Sequence, residues 1–231
     1  MKIAVLDLSK HPEPLMSDLP RASSCIVNWL SHSFEEADFK VYDLAEFNDA
    51  VPKLSTFDGL ILSGSELGVY NFALWMPSVR NLLLETKQAG KPIFGICFGH
   101  QIMAEVFGGK VEKADCGNVL GVRDYTDNNG HIFKAYAWHQ DQVTRVPPEA
   151  SVICTALYCP IAGLRYNFNA YSVQYHPEFT KESILGLLHC GRNHFIDALT
   201  ADKAISDIAS KSVCSNLDSY IVASFFRDTY C

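Results

Sequence analysis

The sequence predicts an α/β domain whose core is a mostly parallel sheet with helices on both faces, carrying an antiparallel β insertion and C-terminal helices. Three observations carry that expectation. Strand and helix signals alternate four times before Gly109. Beyond Lys110, short apolar runs separated by turn residues replace them. From Lys181 to Cys231 the helical period returns, in Ile184, Leu187 and Leu188.

Taken in order, Lys2–Leu8 is a short apolar, β-branched run that reads as a buried first strand. The segment His11–Pro20, with three prolines, is a loop. Ala22–Glu36 follows as a helix, with Cys25, Ile26, Trp29 and Leu30 at helical spacing. Phe39–Leu44 and Gly59–Leu62 are the second and third strands, the latter stopping at Ser63-Gly64-Ser65. Pro77 suits the first turn of a helix that runs to Ala89, where Gly90 and Pro92 end it. Pro92–Ile96 is the fourth strand, and Gly99–Phe107 the helix that follows at once. Val111–Ala114, Val119–Tyr125, Ile132–Trp138, Ser151–Leu157, Ile161–Arg165 and Tyr171–Tyr175 read as short strands. Asn128-Asn129-Gly130 is a hairpin turn between two of them. Without a Gly/Ser-rich linker or internal repeat, residues 1–231 read as one domain, with a core of about 1–180 and a helical extension of about 181–231.

Composition narrows the function. Apolar residues make up 48% and charged residues 19%, which excludes a disordered chain or a coiled coil. The net charge is −7 with no basic cluster, so nucleic acid is not an expected partner. No run reaches the ~18 apolar residues of a membrane span, and Asp7 interrupts the apolar start before it could serve as a secretory signal. Eight cysteines without a CxxC pair point to a cytoplasmic, reducing setting in which thiols stay free.

The sharpest local feature is Gly95-Ile96-Cys97-Phe98-Gly99-His100-Gln101, set between a strand and a helix. Small residues on both sides of Cys97 permit a sharp turn that lifts its side chain clear of the sheet. The helix that begins there aims free N–H groups at the sulfur, favouring the thiolate and able to hold an oxyanion. A cysteine alone would read as a small buried apolar residue; the glycine frame argues for a nucleophile. Such a nucleophile needs a base and the base needs an orienting group. Tyr175-His176-Pro177-Glu178-Phe179 supplies both within three residues. His189-Cys190 and His194 offer metal-ligand chemistry at helical spacing, but read as helix surface and core, so neither metal nor cofactor is expected.

Together these two segments resemble the class I glutamine amidotransferase family, particularly the amidotransferase domain of GMP synthetase, over roughly the first 180 residues. The resemblance implies a flavodoxin-like three-layer αβα sandwich, with Cys97, His176 and Glu178 as a catalytic triad. It implies that the cysteine attacks the side-chain amide of glutamine, ammonia leaves, and water hydrolyses the γ-glutamyl thioester. It further implies an oxyanion hole built from the backbone N–H of Phe98 and that of Ser65, with Gly64 in the same loop. Gln101 matches a position that contacts bound glutamine. Trp138-His139-Gln140-Asp141 stands where the family has Ser-His-Gly-Asp, so His139, Gln140 and Asp141 are further substrate-binding candidates. Ser65, Trp138 and Gln140 depart from the family pattern and leave the substrate open.

Three readings follow. In the first, the protein is a stand-alone amidotransferase-like enzyme that releases glutamate and ammonia from glutamine. The roughly 50 residues after Glu178 are too few for a synthase domain, so a separate ammonia-accepting synthase subunit would be its partner. In the second it is a γ-glutamyl peptidase acting on glutathione-like γ-glutamyl compounds. In the third the fold persists as a binding or regulatory protein with a silent site. An α/β-hydrolase with a cysteine nucleophile fits less well, because there the acid precedes the histidine.

Overall fold

The computed structural model describes residues 1–11, 13–213 and 216–230. Pro12 of the predicted loop, and Cys214 and Cys231 among the cysteines, lie outside them. Strand β1 (Lys2–Asp7) leads to helix α1 (Ala22–Ser31), then β2 (Asp38–Asp43), β3 (Gly59–Leu62), α2 (Met76–Gln88), β4 (Ile93–Ile96) and α3 (Phe98–Val106). The second half brings β5 (Lys110–Lys113), β6 (Val119–Asp127), β7 (Ile132–His139), β8 (Asp141–Arg145), β9 (Ala150–Ala156), β10 (Cys159–Tyr166) and β11 (Ala170–Val173). Helices α4 (Lys181–Gly191), α5 (Ala198–Ser210) and α6 (Asn216–Tyr230) complete the described chain.

The central sheet runs β2-β1-β3-β4-β11-β10-β9-β6-β7. Its first five strands are parallel neighbours, and from β11 outward the pairing is antiparallel. The predicted insertion therefore extends the same sheet. The Asn128–Gly130 turn joins β6 to β7 as expected, with Gly130 at φ 83°. The sequence reading missed β8, which pairs with β5 as a small separate ribbon. Its residues, Asp-Gln-Val-Thr-Arg, are mostly polar and follow β7 without glycine or proline to mark the turn. Helix α1 stops at Ser31, short of the expected Glu36; there the Ser33 N–H turns back to Leu30 O at 3.0 Å.

Strand alternation sorts the core into two layers. Ala4 and Leu6 of β1 join Leu60 and Leu62 of β3 under α2 and α3, where Val79, Leu83, Ile102 and Met103 are buried. Ile3, Val5 and Ile61 face the other way, against Ile26 and Leu30 of α1 and Val222 and Phe226 of α6. This gives the expected three-layer, flavodoxin-like sandwich. A third cluster holds α4 and α5 on the antiparallel half, through Leu120 and Val122 against Ile184, Leu188, Ala204 and Ile208. Among the described residues no helix is long and apolar enough to cross a membrane.

Candidate active site

Cys97 stands alone between the end of β4 and the start of α3 with φ 53° and ψ −103°. Few non-glycine residues adopt such a backbone, and the surrounding contacts must enforce it. The flanking glycines show how. A Cβ on Gly95 would lie 2.5 Å from Met103 Sδ and 2.7 Å from the carbonyl oxygen of Gly99; one on Gly99 would lie 2.6 Å from Leu62 O. Only hydrogen at both positions lets α3 start this close to β3 and β4. The Gly99 N–H donates to Ser63 O at 3.1 Å and the Gln101 N–H to Cys97 O at 3.0 Å, pinning the first turn. Phe98, at the first helical position, brings one of the N–H groups that a helix leaves without an internal acceptor.

His176 follows β11 and is fixed by its backbone, its N–H donating to Tyr136 O at 2.8 Å. Its ring is buried, stacks on Phe179 with centroids 4.1 Å apart, and places Nδ1 2.7 Å from Glu178 Oε1. A carboxylate at that distance requires the proton on Nδ1, so Nε2 presents its lone pair. Nε2 has no hydrogen-bond partner among the described residues, and the Cys97 sulfur is its neighbour. Burial works against a charge on this ring, but the Glu178 carboxylate and a Cys97 thiolate outweigh it and raise the His176 pKa well above that of an ordinary histidine. The structure thus gathers Cys97, His176 and Glu178, an arrangement able to hold a thiolate–imidazolium pair.

Of the other sequence candidates, Gly64, Ser65, Gln101, His139, Gln140 and Asp141 line one cavity of about 610 Å³ with these three, while the side chain of Phe98 is buried in the core beneath α2 and α3. Gly64 and Ser65 form its floor beside Cys97; a Cβ on Gly64 would approach His176 Cε1 to 3.1 Å. Gln101 lines it too, although its side-chain nitrogen is engaged by Asp141 O at 2.9 Å and Gln174 Oε1 at 3.2 Å. His139 Nδ1 lies 3.2 Å from Asp141 O; a carbonyl only accepts, so Nδ1 carries the proton. Burial, and then the charge of His176, push the His139 pKa down to about 3, which keeps that ring neutral. Gln140 is exposed at the rim, and buried Asp141 accepts from Tyr70 Oη at 3.2 Å.

Several lining residues carried no sequence signal. The segment before α1 contributes Met16, Leu19 and Pro20, helix α4 contributes Leu187, and the connection from α4 to α5 contributes Phe195 and Ile196. Together with Trp138 they form an apolar part of the cavity wall. Helix α4 starts directly after Phe179 because Thr180 and Ser183 cap it reciprocally, at 3.1 and 2.9 Å. Cys25 also reaches the cavity, but burial, followed by the charges of Glu178 and Asp7, pushes its thiol up to about 12, so it stays inert.

This elbow on a three-layer α/β sandwich defines a class, and the comparisons agree with it. The chain belongs to the class-I glutamine amidotransferase family, whose model matches residues 22–184. Among its relatives is γ-glutamyl peptidase 3 of Arabidopsis thaliana, 29% identical over 183 residues that span 73% of each chain. The glutamine-hydrolysing GMP synthase of Aromatoleum aromaticum is 31% identical over 217 residues, covering 83% of this chain and 38% of that protein. A glutamine amidotransferase from Methylobacillus flagellatus has the same fold, with a TM-score of 0.78 at 16% identity, over 99% of this chain and 94% of the other.

Proposed function

We propose that this protein hydrolyses γ-glutamyl amides through a covalent thioester on Cys97, and that its substrate is a γ-glutamyl peptide-like compound. Cys97 Sγ attacks the γ-carbonyl carbon and an S–C bond forms. The N–H groups of Phe98 and Ser65 hold the resulting oxyanion. The C–N bond then breaks as His176 gives its proton to the leaving amine. Water, deprotonated by the same ring, releases glutamate and restores the thiol. Glu178 keeps the ring oriented and stabilises its charged form, while Gln101, His139, Gln140 and Asp141 border the glutamyl group.

The observation that carries the choice of substrate is the cavity. Its 610 Å³ give more room than one amino acid fills, and the apolar wall of Met16, Leu19, Trp138, Leu187 and Phe195 has no use for ammonia as leaving group. The similarity to a γ-glutamyl peptidase over most of both chains supports the same choice. The similarity to GMP synthases favours a second reading, in which glutamine is the substrate and a separate synthase subunit takes the ammonia. Glutamate release from glutamine, γ-glutamylcysteinylglycine and γ-glutamylphenylalanine separates the two. The peptide reading expects kcat/KM for the peptides to exceed that for glutamine at least tenfold. Turnover of glutamine alone would install the second reading.

A further inference from the structure

We propose that the hydroxyl of Ser63 is a positioning device that locks the Gly64–Ser65 peptide in one orientation, keeping the oxyanion hole open without a partner protein. The proposal rests on the reading above, in which the Ser65 N–H is one donor of that hole.

Ser63 follows β3 and is fully buried. Every polar atom it has is engaged. Its N–H donates to Leu6 O at 3.1 Å, and its carbonyl accepts from the Gly99 N–H at 3.1 Å, tying the end of β1 to the start of α3. Its hydroxyl accepts from the Leu8 N–H at 2.9 Å and donates to Gly64 O at 2.8 Å. A hydroxyl has one proton. With Leu8 filling an acceptor position, that proton is directed at the Gly64 carbonyl.

The consequence passes through peptide planarity. The Gly64 carbonyl and the Ser65 N–H belong to one rigid trans unit and point to opposite edges of it. Holding the oxygen against Ser63 therefore holds the Ser65 N–H away from Ser63. The unit begins at the reacting groups, since a Cβ on Gly64 would lie 3.7 Å from Cys97 Cβ and 4.0 Å from its Sγ. A flip of this peptide would reverse the N–H and leave the Ser63 hydroxyl buried without its acceptor, a state that proteins avoid. Gly64 by itself could turn either way; the serine before it removes the choice. A self-sufficient hydrolase needs this arrangement, whereas a partner-gated ammonia source would need the peptide free to turn.

The test compares two reactions at the same sulfur. Alkylation of Cys97 by iodoacetamide is a displacement at saturated carbon and forms no oxyanion; hydrolysis of the γ-glutamyl peptide does. Ser63→Ala is expected to lower kcat at least tenfold, towards the ~10²–10³ that loss of a whole donor costs. KM and the alkylation rate should stay near wild type, the melting temperature should fall by the roughly 2–12 °C that the orphaned Leu8 N–H represents, and Ser63→Thr should restore both kcat and stability. Ser65→Pro deletes the donor outright, so adding Ser63→Ala to it should cause no further loss. If the alanine variant does not fold, Ser63→Cys, with its weaker donor, carries the same comparison. Wild-type kcat in Ser63→Ala, or a parallel fall in alkylation, would overturn the lock. A wild-type protein that hydrolyses no γ-glutamyl amide, or an undiminished Ser65→Pro, would instead overturn the reading on which it rests.

Discussion

The thiol of Cys97 is directed at the main-chain oxygen of Trp138, with Sγ 3.5 Å away. A carbonyl can accept the thiol proton in a hydrogen bond but cannot take it, and it has nothing to offer a thiolate. The nearby Nε2 of His176 can take it. Deprotonation therefore exchanges a contact that only the thiol can make for one that favours the anion.

Cys97→Ser is accordingly expected to abolish turnover, by ~10³-fold or more, because the hydroxyl does not ionise beside an imidazole as a thiol does. The side chain keeps its shape, so the melting temperature should move by no more than the ~2–4 °C that about 1 kcal/mol represents in a chain of this size. A folded serine variant that retains turnover would exclude the thioester.

His176→Asn should be as inactive as the cysteine variant, since it removes the ring nitrogen that takes the thiol proton in this reading. Glu178→Gln should lose less, because the ring stays stacked on Phe179 and fixed through its backbone. Without the carboxylate, however, burial decides the charge of the ring and its pKa falls. The check is the His176 ring itself, followed by NMR: in Glu178→Gln its titration midpoint should lie below that of the wild type. An unchanged midpoint would mean that Glu178 does not support the charged ring.

The elbow was legible in the sequence because it is a local steric problem. Gly95 and Gly99 stand where any side chain would meet backbone or Met103, and no other residue type answers that demand. His176 and Glu178 were legible as a pair because two residues of separation suffice for their contact. What stayed hidden depends on contacts distant in sequence. The Ser63 hydroxyl gains meaning only from the Leu8 N–H, 55 residues away, and the apolar wall is assembled from the segment before α1 and from the tail. Strand β8 escaped because four of its five residues are polar, which hides the alternation that marks a half-buried strand.

Gly99→Ala tests the steric argument. The added carbon would meet the Leu62 carbonyl, which belongs to the central sheet and cannot turn aside. Overpacking of this kind costs about 1–3 kcal/mol, or a fall of roughly 2–12 °C in melting temperature, and should shift the elbow enough to cut turnover as well. A variant with unchanged stability and activity would show that α3 can move away from β3 at no cost.

Acid should destabilise the protein through histidines that fold in the neutral state. His100 is fully buried on α3; its Nε2 lies 3.3 Å from Ile161 O and so carries the proton, and its Nδ1 accepts from the Ser172 hydroxyl at 2.8 Å. Burial drives its pKa down to about 4, partly offset by the Ile161 carbonyl, and His139 is held at about 3. Between these values and the ~6.5 of an unfolded chain, unfolding takes up protons that the folded protein refuses, so stability falls as pH falls through that window. Each such histidine contributes up to about 1.4 kcal/mol per pH unit. His176 has the opposite sign: its raised pKa gives stability that is fully present below ~6.5 and fades only as pH rises, so it adds nothing to the acid slope. Replacing His100 by Gln removes one of the refusing groups while keeping a donor and an acceptor. Urea unfolding between about pH 5 and 6.5 should then show a slope shallower by up to about 1.4 kcal/mol per unit, whatever the variant's absolute stability. Parallel slopes for the two proteins would mean that His100 takes its proton in the folded state, and that burial does not hold it neutral.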